Sequence, residues 1–203
     1  MLWRYSCTLW AGWGIWKWQG GVLFDRQQKT LNSIIADIKD KSKTQRKTLI
    51  QTILPGIALY KALLEEAVTE EQLYNYMNKY MSGKVAANMH SSMKKLEHIP
   101  GFYAIYSRGF LKVMRTFDLH ESVQENGRDY FDVTISKCLG HTACAENGCP
   151  ELCRVYCNAD NVTYGGLRKI DFKRTKTLGY GDECCDFHFL RKQLIPYRSA
   201  KDG

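Results

Sequence analysis

The chain has 203 residues, of which 44% are hydrophobic and 25% are charged, and its formal net charge is +8. These values exclude a largely disordered or membrane-embedded chain and predict one soluble domain with a substantial core. Basic residues are spread along 29–47, 112–115 and 168–174 without forming an aromatic-interleaved stripe, which argues against a nucleic-acid partner and fits a soluble surface that attracts a carboxylate substrate. Walker and Rossmann glycine motifs are missing from the sequence, so a nucleotide-dependent enzyme is disfavoured.

The N-terminal segment 1–24 contains all five tryptophans of the chain. Arg4, Lys17 and several glycines interrupt it, whereas a transmembrane span needs about 20 mainly apolar residues. It also lacks an apolar run followed by a small-residue cleavage site, which an export signal requires. We therefore predict a peripheral arm, or a start codon assigned too early, with a membrane-surface anchor as the alternative.

Apolar residues at helical spacing dominate the next part of the chain. Residues 30–54 fit two helices or one broken helix, ending before Pro55 and Gly56, and a further helix is predicted over 57–66. The next predicted helix begins at Thr69, which is followed three residues later by Gln72 in a capping-box pattern.

That long helix carries Met and Tyr residues on its apolar face, which is typical of core packing rather than of cofactor contacts. We expect an interruption at Gly83 and an end before Pro100 and Gly101. A fourth helix is predicted over 102–117.

The hydrophobic period then changes from helical spacing to alternation. A half-buried strand is predicted over 130–138, and a helix start at Pro150 brings Cys153 and Cys157 to one side. Strands over 167–178 and 183–190 form a hairpin that turns at 179–182. Helices first and antiparallel strands last predict an α+β fold, in which a helical half precedes an antiparallel sheet with a short helix.

We divide the chain into the arm 1–24, a single domain 25–195 and a tail 196–203. Seven of its eight cysteines lie between Cys138 and Cys185. Because an export signal is not found and the cysteines cluster around one region, we predict a cytoplasmic protein with reduced thiols.

Adjacent residues of the last strand face opposite sides of its sheet, so Cys184 and Cys185 cannot both line one pocket. Cys185 lies on the face of the two phenylalanines, Phe187 and Phe189. His188 lies on the other face with Cys184. Alternation alone would equally allow Cys185 to be a buried structural thiol.

The motifs of the C-terminal third match one family pattern: a Lys-Cys strand end, a Pro-Glu-Leu helix start, a cysteine shortly before an aspartate, and Arg-Thr-x-Thr-Leu followed by Gly and Cys-Asp-Phe. The matching positions are Lys137, Cys138, Pro150, Glu151, Leu152, Cys157, Asp160, Arg174, Thr175, Thr177, Leu178, Gly181, Cys185, Asp186 and Phe187. Over residues 54–191 the chain thus resembles the L-2-amino-thiazoline-4-carboxylic acid hydrolases. The resemblance implies a hydrolase that opens a small cyclic amidine bearing a carboxylate with water, giving N-carbamoyl-cysteine.

Three chemical interpretations of Cys138, Cys157, Asp160 and Cys185 stay open. The four side chains could bind zinc, although paired Cys-x-x-Cys knuckles are missing from the sequence. One thiolate could be a nucleophile beside a cation such as His188 or Arg174. In the third interpretation the cysteines only shape the pocket and Asp160 activates water.

The order of these residues also resembles the vinyl-reductase-like ligand-binding domains, some of which hold a structural zinc by cysteines and an acidic residue. That likeness supports the zinc interpretation. It also supports an alternative function, a non-enzymatic small-molecule or metal-responsive binding domain.

Arg174 and His188 complete the candidate catalytic residues. Arg174 could grip the substrate carboxylate in bidentate fashion, or it could pair with Asp171 or Asp186 within the sheet. His188 is next to the Cys-Asp-Phe motif, where it could be catalytic or a plain surface residue. The chain departs from the family pattern in its tryptophan-rich arm, in Cys144, Cys149 and Cys184, and in the histidine after Cys-Asp-Phe, which bears on the substrate more than on the fold.

Overall fold

A computed structural model describes residues 20–66, 69–116 and 118–192. Most of the predicted arm and the whole predicted tail lie outside the described residues, so the domain boundaries stay predictions. Within these ranges no helix is both long and apolar enough to cross a bilayer.

Helices fill the first half of the described chain and strands the second. The helices are α1 (Gly20–Ala36), α2 (Lys43–Thr48), α3 (Leu54–Leu64), α4 (Glu70–Tyr80), α5 (Ala87–Leu96), α6 (Phe102–Thr116), α7 (Leu139–Glu146) and α8 (Cys153–Tyr164). The strands are β1 (His120–Asn126), β2 (Tyr130–Cys138), β3 (Ile170–Lys173) and β4 (Cys185–Arg191). The sheet is antiparallel throughout, in the order β1-β2-β4-β3. The predicted α+β class is confirmed.

Two wide π-helical turns replace the breaks that the sequence predicted. Residues Leu49–Ile53 join α2 to α3, so the predicted helix end before Pro55 is wrong. Residues Met81–Ala86 join α4 to α5, so the interruption predicted at Gly83 is a change of helical pitch rather than a break. A proline ring clashes with the carbonyl four residues earlier in a regular α-helix, and the wide turn before Pro55 relieves that conflict. The capping box of Thr69 and Gln72 is present as predicted.

Two elements escaped prediction, β1 and α7. Strand β1 reads HESVQEN, and its one large apolar residue, Val123, is 74% exposed. Such an edge strand lacks the apolar alternation on which strand prediction depends. Helix α7 spans only 8 residues, which is too short for a clear helical period.

The core has two parts that meet at α8. The helical part contains buried side chains of α3 and α4 together with Leu152, Cys153 and Val155. The sheet part contains Phe131 and Phe189, stacked with ring centroids 4.5 Å apart, and is covered by α6. The C-terminal residue of α8, Tyr164, packs against the sheet part, so this helix connects both.

The buried carboxylate of Glu97 ties the helical half to the start of β3. It accepts hydrogen bonds from the backbone N–H groups of Arg168 (3.0 Å) and Lys169 (2.6 Å). Glu97 is 3% exposed, so its two backbone donors stand in for water.

Candidate functional site

Five of the six predicted residues lie in one region, between the end of β2, helix α8 and the start of β4. Cys138 ends β2, Cys157 and Asp160 lie on α8, and Cys185 begins β4. Arg174 follows β3, and its Nη1 is 3.1 Å from Asp160 Oδ2. Cys138 and Cys185 are close enough to Cys157 to interact with it electrostatically.

His188 does not join this group. It lies on the opposite face of β4 from Cys185, as strand alternation requires. Its Nδ1 is 3.1 Å from Asp132 Oδ1 and its Nε2 is 3.6 Å from Asp186 Oδ2. The group therefore consists of thiols, one carboxyl and one guanidinium.

The Asp160–Arg174 pair provides the charged groups of the region. The Arg174 side chain is 4% exposed and lies 5.7 Å from the ring centroid of Phe187, whereas 34% of the Asp160 side chain is exposed. Burial raises the pKa of Asp160 to about 7, and the Arg174 charge offsets only part of that rise. Asp160 is thus a carboxyl that can both donate and accept a proton near neutral pH.

The remaining polar residues of the Arg-Thr-x-Thr and Cys-Asp-Phe motifs shape the segment from 174 to 184. Asp186 accepts hydrogen bonds from the backbone N–H groups of Thr175 (2.8 Å) and Lys176 (2.5 Å). Asp182 accepts one from the N–H of Thr177 at 2.6 Å. Because Asp186 is committed to these bonds, it is not the partner of Arg174.

Gly179 brings this segment against α8. A Cβ atom at position 179 would lie 2.8 Å from Cys157 Sγ and 3.3 Å from the backbone N of Arg154. The neighbouring Tyr180 donates a hydrogen bond from its hydroxyl to Asn158 Oδ1 at 2.9 Å. Only glycine fits so close an approach, and the contact holds the segment over the Cys157 side of the site.

The thiols of the region are protonated at neutral pH. Burial raises the pKa of Cys138 and raises that of Cys185 to about 12. A hydrogen bond with Cys153, whose Sγ is 3.8 Å from Cys157 Sγ, raises the pKa of Cys157. An activated nucleophile needs a lowered pKa, so these three thiols do not fit the nucleophile interpretation.

Among the other cysteines, Cys149 has a lowered pKa because Cys144 forms a hydrogen bond with it. Cys149 is 1% exposed and packs in the helical part of the core. The seven cysteines within the described ranges are all free thiols.

The donor set does not fit a closed zinc site. Across the described ranges, no three or more His, Cys, Asp and Glu side chains converge in a way that could hold a metal ion. The carboxyl of Asp160 is already engaged with Arg174, and His188 faces away.

Two tyrosines that were not predicted as site residues are within electrostatic range of Asp160. Tyr164 is four residues after Asp160 on α8, and its hydroxyl and that of Tyr106 on α6 both interact electrostatically with Asp160. Burial raises the pKa of both hydroxyls, so both remain protonated donors. The spacing of four on a predicted helix was the signal that could have identified Tyr164.

Comparison with known proteins gives one family. The family described as L-2-amino-thiazoline-4-carboxylic acid hydrolase matches residues 46–189. No curated protein matches the sequence.

Two solved structures are remotely similar. One is the Fe(II) unliganded H-NOX protein from K. algicida, at 11% identity over 88% of this chain and 99% of that chain, with a TM-score of 0.24. The other is a point mutant of the same protein, at 12% identity over 86% and 97%, with a TM-score of 0.28. TM-scores this low do not indicate a shared fold.

Proposed function

Because the chain belongs to the L-2-amino-thiazoline-4-carboxylic acid hydrolase family, we propose that it opens a small cyclic amidine that carries a carboxylate. The family is named for a hydrolase activity, and the ring-opening reaction is the specific part of the proposal. Water adds to the ring carbon between sulfur and nitrogen. The second proton of the water then passes from the new hydroxyl to the ring nitrogen, as the carbon–oxygen double bond forms and the carbon–sulfur bond breaks. The sulfur leaves as a thiolate that takes up a proton, giving an N-carbamoyl-cysteine-like product.

The position of Asp160 supports this reaction best: its carboxyl is 3.1 Å from the buried Arg174 guanidinium and partly exposed, and burial raises its pKa to about 7. A general acid–base group works best when its pKa is close to the working pH. As a carboxylate, Asp160 takes a proton from the attacking water. As a carboxylic acid, it returns that proton to the leaving sulfur, so one residue serves both halves of the reaction.

We assign Arg174 to the substrate carboxylate. A guanidinium has five N–H donors, and the contact with Asp160 uses Nη1, so donors remain for a second carboxylate. The substrate approaches from the side of Asp160, where 34% of that side chain is exposed. In this proposal the substrate carboxylate and the proton-transfer group share one guanidinium.

The cysteines shape the pocket in this proposal. Their raised pKa values keep Cys138, Cys157 and Cys185 as neutral thiols, which are weak S–H donors suited to a departing thiolate. We also propose that the protein works in the cytoplasm, where reducing conditions preserve these thiols.

The test follows release of free thiol from 2-amino-thiazoline-4-carboxylate by the purified chain. Asp160→Asn keeps the side-chain shape and should lower turnover by about two to four orders of magnitude. Asp171→Asn is the matched control, because among the described residues the Asp171 carboxylate forms ion pairs with Lys173 and Lys192 and not with Arg174. Equal turnover in the two variants would refute the role of Asp160.

Two further variants separate the remaining roles. Arg174→Lys loses the planar fork and should raise KM more than it lowers kcat. Cys157→Ser should retain most of its turnover, whereas a nucleophilic thiol would give a folded but inactive enzyme. Thiol release by the wild type no faster than in buffer, with the amidine still bound, would favour the binding-domain alternative.

A further inference from the structure

A basic groove lies at the end of the sheet opposite the candidate site. It has a volume of about 920 Å³ and is formed by the start of α6, the β1–β2 turn and the last residues of β4. Strand β2 runs from Tyr130 at this groove to Cys138 at the candidate site. Eight residue steps at about 3.3 Å each separate the two places by roughly 25 Å.

The charges of the groove are strongly unbalanced. Its lining contains five basic side chains and one acidic side chain, Asp129; the basic ones are Arg108, Arg128, Lys169, Arg191 and Lys192. Asp129 is paired with Arg191 at 3.2 Å, and Lys192 is paired with Asp171, outside the lining, at 3.4 Å. Throughout the part of the chain that the structure describes, Arg108 and Arg128 have no ion-pair partner, so their charges are available to a ligand.

The larger groove beside α1 differs in this respect. Its cations are matched by acids that line the same surface, including Arg26 with Glu65 (3.3 Å) and Lys41 with Glu146 (3.1 Å). An unmatched excess of positive charge is therefore a feature of the groove at α6.

The hydroxyl of Tyr103 provides an independent indication of a ligand. Tyr103 lines the groove and is 9% exposed, and its buried hydroxyl has no hydrogen-bond partner among the described residues. Asp129 and Arg191, two residues of the groove, act on this hydroxyl electrostatically, and the Arg191 guanidinium lies 5.8 Å from the Tyr103 ring centroid. Buried donors without an acceptor are rare in folded proteins. Among the described residues the Tyr106 hydroxyl also lacks one, but Tyr106 packs in the sheet part of the core, whereas Tyr103 lines the groove, where a ligand can act as the acceptor.

The N-terminus of α6 adds to the same field. Gly101 to Ala104, at the start of this 15-residue helix, line the groove. The first N–H groups of a helix carry a partial positive charge and favour anions, phosphate in particular.

We propose that this groove binds a small molecule bearing a phosphoryl group, with Arg108 and Arg128 on its oxygens and the Tyr103 hydroxyl donating to it. The volume lies in the range of small-molecule sites. The excess charge calls for an anion with more than one negative charge, which a phosphoryl group supplies and a single carboxylate does not. The site is separate from the proposed hydrolytic site.

Calorimetric titration of the full chain at low ionic strength tests the proposal with two probes, inorganic pyrophosphate and ADP. We expect one saturable site. The double variant Arg108→Glu with Arg128→Glu should weaken binding by about tenfold or more, because it removes two charge-assisted contacts. Tyr103→Phe should weaken it by about threefold to tenfold while leaving the unfolding midpoint unchanged or raised, since the unliganded hydroxyl has no partner to lose.

The matched control carries the same change of charge on α5. Lys94→Glu with Lys95→Glu lies outside the groove lining and should alter binding by less than about twofold, because exposed distant charges are screened by salt. Tighter binding of ADP than of pyrophosphate identifies an organic phosphate, and equal binding identifies free phosphate groups as the ligand chemistry. Both results support the proposal.

Three results would overturn it. These are no saturable binding of either probe, wild-type affinity in the arginine double variant, or equal weakening in the lysine control. Tighter binding of a short single-stranded oligonucleotide than of both probes would also reject a small-molecule occupant. None of these readouts depends on amidine turnover, so this proposal and the proposed hydrolase function fail separately.

Discussion

Replacement of Gly179 by alanine tests how closely the segment from 174 to 184 is held against α8. The new methyl group would lie 2.8 Å from Cys157 Sγ and 3.3 Å from two backbone atoms of α8, at Arg154 and Cys153. Carbon and sulfur atoms in ordinary contact are about 3.5–4 Å apart, so the methyl group must displace the segment or the helix. Overpacking of this kind costs about 1–3 kcal/mol of unfolding free energy.

Thermal unfolding and urea denaturation measure this loss. For a chain of this size, about 1 kcal/mol lowers the unfolding midpoint by roughly 2–4 °C. Gly109→Ala is the control, because position 109 is on α6 with nothing within 4 Å of a Cβ atom. There alanine should stabilise the helix by about 0.5–1 kcal/mol.

A second substitution identifies the source of the cost. Cys157→Ala removes the sulfur atom that the new methyl group would meet, so the double variant with Gly179→Ala should lose less than the sum of the two single variants. The coupling should be at least about 0.5 kcal/mol, as for side chains in contact. Additive losses, or a Gly179→Ala variant as stable as the wild type, would refute the close approach of the segment to Cys157.

Two further predictions concern the carboxyl groups of Glu97, which is buried, and Asp160, which is partly buried. Glu97→Gln should lower the unfolding free energy by about 1.5–3 kcal/mol in urea denaturation, because an amide cannot accept from both N–H groups of Arg168 and Lys169 as the carboxylate does. The control is Glu121→Gln, which loses an exposed ion pair with Lys137 and should change the unfolding free energy by less than about 1 kcal/mol. Asp160 has a pKa of about 7 in the folded chain, against an ordinary value of 3.8, so the folded chain holds this proton more tightly than the unfolded chain. The resulting contribution to the free energy of unfolding is fully present below pH 3.8 and is lost as the pH rises through about 7. Urea midpoints of the wild type should therefore fall relative to those of Asp160→Asn over that pH range, and a constant difference between the two proteins would contradict the raised pKa.

The sequence predicted the elements whose periods are strong. Strand β2 was located at its observed ends, because Phe131, Val133 and Ile135 alternate with polar residues and all three are buried. The separation of Cys185 from His188 on the two faces of β4 follows from the same alternation. The hairpin over 167–190 was predicted with the right pairing, but its strands are shorter and its connection is longer than the four-residue turn.

The site was predictable only in part, because its residues come from separate elements and are brought together by tertiary packing, as Asp160 of α8 and Arg174 after β3 are. Nothing local distinguishes Asp160 from Asp171 or Asp186 as the partner of Arg174, since the choice depends on how α8 packs on the sheet. Tyr106 was missed for the same reason, because it acts on Asp160 from another element, α6, whereas the spacing of four from Asp160 could have identified Tyr164. The motif resemblance identified the family, while the pKa of Asp160 required the burial that only the fold provides.

The two wide turns have a consequence for chain length. The turn before α3 leaves the Ile53 carbonyl to accept a hydrogen bond from Tyr156 of α8 at 3.2 Å, and the turn before α5 also contacts α8. Each such turn holds one residue more than a regular α-helical turn, so deleting a single residue there would restore an ordinary helix and rotate everything beyond it by about 100°. Substitutions within these turns should thus be accommodated more readily than deletions, because the number of residues in each turn sets how the helices beyond it meet α8, the helix that carries Asp160.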